Sequence, residues 1–314
     1  MAPTISVCDA EAVATDESVS SHGVDEPSGL DAAAGTFTQC RPRLFGIAYR
    51  MLGSVAEAED VVQDAWVRWQ QSDWTSVRNP AGFLTTITTR LAINTAESAR
   101  VRREQYIGPW LPEPVDTSAD PALGAEKAEA LESAVLVLLE TLRPEQRAAF
   151  VLREAFDYSY NDIAQVLETS PDNARQLVSR ARKHVHSERQ QPVNAARHRD
   201  LLAAFVAAAQ AGDLERLEEV LSVDVVSLSD GAGVAPRAAR RPVVGRDHVA
   251  RLVAGFAPDW WDGASISWVE TNGQPSVLIE RGSEALAVLS VSVSAAGIDQ
   301  LMWVMAPDKL MHVP

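Results

Sequence analysis

Residues 160–183 read YNDIAQVLETSPDNARQLVSRARK, and this stretch predicts a helix-turn-helix. Ile163, Val166 and Leu167 recur at helical spacing and are expected to face a core. Ala164 is small where two helices must cross closely. Ser170 is a good N-cap residue, and Pro171 suits the first helical position after it.

The second helix of this unit carries a polar face that suits DNA. Arginine can bond guanine, and asparagine or glutamine can bond adenine, when a helix enters the major groove. The alternative is a helical hairpin that never contacts DNA. The candidate base- and phosphate-binding residues are Asp172, Asn173, Arg175, Gln176, Ser179, Arg180 and Lys183.

Residues 56–69, AEAEDVVQDAWVRW, predict a second kind of helix, with one apolar stripe and one acidic face. The stripe comprises Ala58, Val62, Ala65, Trp66 and Trp69. Spacings of three and four bring Glu57, Asp60 and Asp64 together on the outside, with Gln63 alongside. This face is either a docking surface or an ordinary solvated one.

A third helix is expected to begin at Asn79-Pro80, an N-cap followed by proline, and to run to about Arg103. Its threonines, asparagines and arginines can bond phosphates and hold an unstacked single strand. An equally open alternative is a polar amphipathic helix whose terminal arginines complement its dipole. The candidate DNA-binding residues are Asn79, Arg90, Asn94, Arg100, Arg102 and Arg103.

The formal net charge of −15 at first argues against nucleic-acid binding, but the charge is unevenly distributed. Residues 1–35 have seven acidic groups and no Lys or Arg. Phosphate binding requires a local basic surface rather than a basic total. Such surfaces are expected at residues 100–103 and 175–189.

Other features exclude several classes of protein. No apolar run approaches the ~18 residues of a membrane span. The N-terminal residues show no basic region followed by an apolar one, so no secretory signal is expected. Two cysteines, Cys8 and Cys40, make no disulfide framework, and no His/Cys spacing indicates a metal site. A cytoplasmic protein without cofactor is therefore expected.

The chain divides into five predicted segments. Residues 1–35 are expected to be a disordered acidic tail, because they have too few large apolar groups to form a core. Helical domains are expected at 36–107 and 125–190, joined by a proline-rich linker at 108–124. Residues 198–314 predict an α+β domain, with helices followed by a late antiparallel sheet.

The α+β domain has titratable residues but no recognisable catalytic set. One interpretation of these residues is a catalytic carboxylate in a cone-shaped pocket. The interpretation that we favour is that the acids lie on the surface and the tryptophans in the core. Arg237, Arg240 and Arg241 lie in a Gly/Ala/Pro-rich loop and are expected to be solvated. The titratable candidates are His198, Asp230, Asp247, His248 and Asp259.

Together these motifs resemble the sigma-70 family of RNA polymerase factors, in its extracytoplasmic-function group. The resemblance rests on residues 49–66 for region 2.1–2.2 and on residues 142–183 for region 4. It implies that residues 79–103 melt and read the −10 element, and that the helix from Pro171 reads the −35 element. Glu168 stands in the turn where the family often has glycine. The resemblance implies polymerase-docking roles for Asp60, Gln63, Asp64 and Trp66.

The linker and the last domain carry a second resemblance, to extracytoplasmic-function factors with a fused SnoaL-like domain. Its linker motif matches Trp110, Leu111, Pro112, Glu113 and Pro114, and its signature stretches match residues 230–233 and 306–310 in part. The implied fold is two all-α sigma domains followed by an α+β SnoaL-like (NTF2-like) cone.

The two resemblances together also imply partners. They are core RNA polymerase, through its β′ clamp helices and β flap, and promoter DNA at the −10 and −35 elements. The fused domain is expected to modulate activity, and its pocket leaves room for a small-molecule ligand. The alternatives are a SnoaL-like cyclase or isomerase fused to a DNA-binding module, and a helix-turn-helix repressor independent of polymerase.

Overall fold

The computed structural model describes residues 29–117, 131–188, 194–311 and 313. An N-terminal helical group comprises α1 (Gly29–Leu52), α2 (Val55–Gln71) and α3 (Pro80–Glu104), with a short 3₁₀ turn at Trp74–Ser76. A central helical group comprises α4 (Ser133–Glu140), α5 (Pro144–Glu154), α6 (Tyr160–Val166) and α7 (Pro171–Glu188). None of the helices in these ranges is long and apolar enough to cross a membrane.

Helix α1 begins earlier than the sequence predicts. Residues 29–35 were expected to belong to a disordered tail, yet they form its first turns. Ala33 is buried, and its carbonyl accepts a hydrogen bond of 3.0 Å from the indole N–H of Trp69. A tertiary contact thus helps to order a segment that has few large apolar groups of its own. Residues 1–28 of the predicted tail lie outside the described residues.

The predicted helix starts are confirmed by their caps. The side chain of Asn79 accepts a hydrogen bond from the Gly82 N–H, and Pro80 is the first residue of α3. Ser170 caps α7 by accepting from the Asn173 N–H at 3.2 Å. Each cap satisfies a backbone donor that a helix end would otherwise leave unpaired.

The helix-turn-helix is formed by α6 and α7. Glu168 adopts the left-handed conformation (φ 51°), and the Thr169 N–H bonds the Ala164 carbonyl at 2.9 Å. The turn therefore keeps the geometry for which glycine is usual, at a strain of about 1–2 kcal/mol for a side chain there. The buried residues of α7, at helical spacing, are Ala174, Val178, Ala181 and Val185.

The two helical groups share a single hydrophobic core. Leu44 and Leu84 of the N-terminal group belong to the same buried cluster as Val135 and Phe150 of the central group. Polar contacts cross the same boundary, since the guanidinium of Arg147 donates to the Met51 carbonyl. The groups are therefore packed together rather than separated by the linker.

The C-terminal part is the predicted α+β domain. It contains α8 (Ala195–Ala211), α9 (Leu214–Val220) and α10 (Arg246–Trp260). The six-stranded sheet has the order β2-β1-β6-β5-β4-β3, in which β1 and β6 are parallel and every other pair is antiparallel. The strands are β1 (Leu221–Asp230), β2 (Val243–Val244), β3 (Ala264–Thr271), β4 (Gln274–Arg281), β5 (Glu284–Ser294) and β6 (Gly297–Val304).

The sheet buries residues on both faces. One face packs on α8 and α10 around residues such as Phe205 and Val249. A smaller cluster on other sheet residues includes Leu111 of the linker, with Ala134 and Val137 of α4 packed against it. Residues 111–114 of the linker therefore lie buried between the sheet and the helical groups.

Candidate functional site

The acidic face of α2 is exposed as predicted. The side chains of Asp60, Gln63 and Asp64 are open to solvent and form no ion pair with another described residue. Trp66 lies at the edge of this face and is half-buried, with its ring 4.9 Å from that of Phe37. An unpaired acidic surface beside a fixed aromatic ring can dock a basic partner.

Glu57 does not belong to this face, contrary to the sequence reading. Its carboxylate accepts from the guanidinium groups of Arg102 and Arg103 at the end of α3. Arg103 also pairs with Glu140 of α4 and donates to the Leu52 carbonyl. The ion pairs therefore join α2, α3 and α4. They pair charged side chains that the sequence predicted to be solvent-exposed.

The predicted DNA-binding residues of α3 separate into two sets. Asn94 and Arg100 are exposed, and Arg100 has only a loose pair with Glu104 at 3.7 Å. Asn79 is exposed but caps the helix. The other three, Arg90, Arg102 and Arg103, are bonded to acidic side chains or carbonyls of the protein itself.

Arg90 was expected to be free to bind DNA, but its side chain is bonded within the protein. Its guanidinium donates to the carbonyls of Val166 and Gln165 at 2.9 and 3.3 Å. It also pairs with the Glu168 carboxylate at 2.9 Å. These acceptors lie at the C-terminal end of α6, where the helix dipole favours a cation. In this arrangement Arg90 holds the helix-turn-helix against α3.

The outward face of α7 is exposed along its length, as the sequence predicts. Asn173 bonds the Thr169 hydroxyl at 2.7 Å, which fixes its position at the helix start. Arg175 pairs with Asp172 and lies over the Tyr160 ring, 5.1 Å from its centre. The seven predicted residues, Asp172, Asn173, Arg175, Gln176, Ser179, Arg180 and Lys183, therefore share one accessible surface.

The linker motif is held by a buried ion pair. Asp230 is completely buried, and its carboxylate accepts from the Leu111 N–H at 2.8 Å and from Lys309 at 2.7 Å. Lys309 also donates to the Leu111 carbonyl at 2.5 Å. Burial lowers the pKa of Lys309, while the Asp230 carboxylate opposes this shift. The sequence reading of Asp230 as a surface acid is wrong, because its charge is satisfied by a lysine far along the chain.

Aromatic residues enclose this pair. The Tyr106 hydroxyl donates to Asp230 at 2.5 Å, and burial together with this bond raises the pKa of Tyr106. The Trp110 ring lies between two cations, 3.6 Å from Arg103 and 4.2 Å from Lys309. Trp110 thereby joins the α3 ion pairs to the Asp230–Lys309 pair.

Glu113 binds the other side of the linker to the N-terminal helical group. Its carboxylate accepts from the Val55 N–H, and its own N–H donates to the Gly53 carbonyl, both at 2.8 Å. The Tyr49 hydroxyl donates to the Glu113 carbonyl at 2.5 Å and accepts from Asn272 at 2.6 Å. Burial raises the pKa of Tyr49, so this hydroxyl stays protonated.

Asn272 completes the attachment from the β3–β4 turn. The side-chain oxygen of Asn272 accepts from the Val115 N–H at 3.0 Å, and the backbone N–H of Asn272 donates to the Val115 carbonyl at 2.9 Å. The partly matched signatures at 230–233 and 306–310 were a usable signal for Asp230 and Lys309. Nothing in the sequence distinguishes Tyr49 and Asn272, because their partners are distant in the chain.

The other titratable candidates of the α+β domain are not brought together. Asp247 and His248 are exposed on α10, whereas His198 is buried in α8. Burial lowers the pKa of His198. Asp259 is exposed and pairs with Arg237 at 3.3 Å. These four residues and Asp230 form no catalytic constellation in the described structure.

Comparisons with known proteins agree with this architecture. The family model described as Sigma-70 region 2 matches residues 36–104, and the one described as Sigma-70, region 4 matches residues 132–185. These ranges contain the acidic face of α2, all of α3, and the helix-turn-helix.

Two relatives from Mycobacterium tuberculosis extend over most of the chain. The ECF RNA polymerase sigma factor SigJ is 38% identical over 298 residues, which cover 88% of this chain and 93% of SigJ. The probable ECF RNA polymerase sigma factor SigI is 32% identical and covers 89% of this chain and 95% of its own.

A solved structure supports the same conclusion. The crystal structure of the extracytoplasmic function sigma factor SigJ superposes with a TM-score of 0.72 at 35% identity, covering 90% of this chain and 99% of that one. The likeness thus includes both helical groups and the α+β domain. This chain belongs to the extracytoplasmic-function group of the sigma-70 family of RNA polymerase sigma factors.

Proposed function

We propose that this sigma factor docks on core RNA polymerase through the acidic face of α2, with Asp60, Gln63 and Asp64 as contacts and Trp66 beside them. The observation that carries this proposal is the open, unpaired state of these side chains. Most other acidic groups nearby are already paired, as Glu57 is with Arg102 and Arg103. The β′ clamp helices and the β flap are the surfaces we expect to be bound.

Promoter recognition is assigned to two surfaces. The exposed face of α7 reads the −35 element in the major groove, where Arg175, Gln176 and Arg180 can reach base edges. The exposed side of α3 binds the −10 element through Asn94 and Arg100. Arg90, Arg102 and Arg103 can join it only after their present bonds break. Separation of α6 and α7 from α3 on polymerase is therefore part of the proposal.

The fused α+β domain is assigned a regulatory role, without covalent chemistry. Asp230, Lys309 and Asn272 bond backbone atoms of the linker, so the domain controls the segment that joins the two DNA-reading parts. Its interior cavity is lined mainly by aliphatic and aromatic side chains, together with two hydroxyls and one arginine. No carboxylate, imidazole or thiol is among those described lining residues, so the serine hydroxyls there have no neighbouring general base to activate them.

Replacement of Asp60 and Asp64 by lysine tests the docking assignment. The double variant should lose binding to core polymerase in a pull-down, because it reverses the charge of the whole face. The matched control is the double variant Glu219→Lys with Asp224→Lys, which makes the same charge change on the exposed surface of the α+β domain. Equal retention of polymerase by both double variants would contradict the assignment.

Experiments with the purified protein, with and without core polymerase, distinguish a sigma factor from a repressor. A repressor would bind promoter duplex tightly without polymerase, whereas the net charge of −15 opposes this. Promoter-directed transcription that requires both this chain and core polymerase is the expected result.

A further inference from the structure

The α+β domain encloses an apolar chamber between β1, β6 and α10. The space that a water-sized sphere can enter is about 50 Å³, and the whole hollow with its open mouth is about 520 Å³. Its walls include Trp260, Trp261 and Trp303. Ser227 and Ser229 also line it; they are only 2% and 7% exposed. The buried indole N–H of Trp260 has no hydrogen-bond partner among the described residues. Unpaired buried polar groups cost free energy, which a ligand with matching groups would recover.

A second, polar cavity adjoins the chamber. The two share Ser229, Arg237 and Ala239 as lining residues, so these residues lie at the boundary between the two cavities. The wall of this vestibule includes Ile107 and Gly108, directly before the linker motif, and the loop from Gly231 to Arg240. The vestibule is therefore built jointly by the α+β domain and by the chain entering the linker.

The charged residues that line the vestibule are all positive. Arg237 and Arg240 are its charged lining residues, and no acidic residue is among those that line it. Arg237 has a solvent-exposed pair with Asp259 at 3.3 Å. Such an exposed pair contributes little, so an anion can compete for the guanidinium.

We propose that chamber and vestibule together bind one small amphipathic anion. An aromatic ring occupies the chamber among the indoles, and a carboxylate lies in the vestibule between Arg237 and Arg240. This site would give the fused domain its regulatory input, and that consequence rests on the proposed function. Gly108 lies against Arg240, so an occupied vestibule contacts the chain just before the residues that Asp230 and Lys309 hold.

Calorimetric titration of the full-length protein tests the site without polymerase. The probes are benzoate and 1-naphthoate, each compared with its neutral amide. At least one carboxylate should bind in a 1:1 ratio, and at least tenfold more tightly than its amide. Ser227→Leu fills the chamber and should weaken binding at least tenfold, whereas Ser267→Leu, on the exposed side of β3, should not.

The arginines are tested in the same way. The double variant Arg237→Ala with Arg240→Ala should weaken carboxylate binding at least tenfold. The matched control, Arg241→Ala with Arg251→Ala, removes two exposed arginines of the same domain and should leave affinity unchanged. The proposal is overturned if neither carboxylate binds more tightly than about 1 mM, or if carboxylate and amide bind equally. It is also overturned if the two double variants behave alike.

Amide hydrogen exchange then tests the link to the linker. A saturating carboxylate should change the exchange rate of the Leu111 N–H several-fold and leave the amides of α7 unchanged. An unchanged Leu111 rate would overturn the regulatory part of the inference. Because these measurements use no polymerase, loss of polymerase binding in the α2 variants cannot be mistaken for failure of the ligand site.

Discussion

The carboxylate of Glu168, in the turn of the helix-turn-helix, lies 2.9 Å from the guanidinium of Arg90 in α3. Glu168 makes this contact from a left-handed backbone conformation, at φ 51°. Both side chains are substantially exposed, at 75% and 41%. The pair alone is therefore worth at most about 1 kcal/mol. Its importance is positional, because it joins α3 to the helix-turn-helix.

Glu168→Gly and Glu168→Ala should separate backbone strain from the ion pair. Both lose the carboxylate, but only glycine adopts a positive φ without steric cost. We expect the glycine variant to be about 1 kcal/mol more stable than the alanine variant in urea unfolding. Equal stability of the two would show that the turn relaxes to another conformation when Glu168 is replaced.

The Asp230–Lys309 pair should behave as a buried, mutually dependent unit. Asp230→Asn or Lys309→Met alone leaves an uncompensated charge, and each should lower the free energy of unfolding by about 3–5 kcal/mol. The double variant should lose clearly less than the sum of the two single losses. Asp308→Asn, an exposed neighbour, is the control and should change stability by less than about 0.5 kcal/mol. Additive single losses would contradict a direct pairing.

Arg180 and Arg182 of α7 provide a matched test of −35 recognition. Arg180 lies on the proposed DNA face, whereas Arg182 is bonded to Glu154 of α5 at 2.5 Å. Arg180→Ala should reduce initiation roughly tenfold at a promoter with its upstream element, the effect of one good base contact. Arg182→Ala should leave initiation nearly unchanged and slightly lower stability. The reverse order of effects would place the DNA on another face of α7.

Asp299 of β6 should make stability depend on pH. Burial raises the pKa of Asp299 above its usual 3.8, and the hydroxyls of Ser294 and Ser222 offset this only in part. The folded state therefore holds this proton more tightly, so stability falls as pH rises from about 3.8 through the raised pKa.

Asp299→Asn should accordingly stabilise the protein near neutral pH and have little effect below about pH 3.5. Unfolding curves at the two pH values give the comparison, with Asp224→Asn on the exposed surface of β1 as the control. A variant that is no more stable than the parent near neutral pH would contradict a desolvated carboxylate.

The parts of the fold that were predictable from sequence depend on neighbouring residues. The caps at Asn79 and Ser170 are set by local hydrogen bonds and backbone preferences. The hydrophobic spacing likewise fixed which sides of α2 and α7 are buried. Short-range interactions of this kind leave periodic marks in a sequence.

The corrections all involve partners far apart in the chain. Arg90 and Arg103 are on helix surfaces that looked solvent-facing, and their acceptors are contributed by the central helical group. Asp230 is buried only because Lys309 compensates its charge. The early start of α1 depends on Trp69. Such pairings are decided by tertiary packing, so one sequence without aligned relatives carries little sign of them.

Along the linker, alternate residues are bound by opposite sides of the molecule. Leu111 and Val115 bond the α+β domain, while Glu113, between them, bonds the N-terminal helical group. Inserting or deleting one residue would turn Glu113 toward the sheet and leave Asn272 opposite the wrong amide. The number of residues in this segment is therefore constrained by the two attachments. Relatives that keep both attachments should tolerate changed side chains here far better than a changed number of residues.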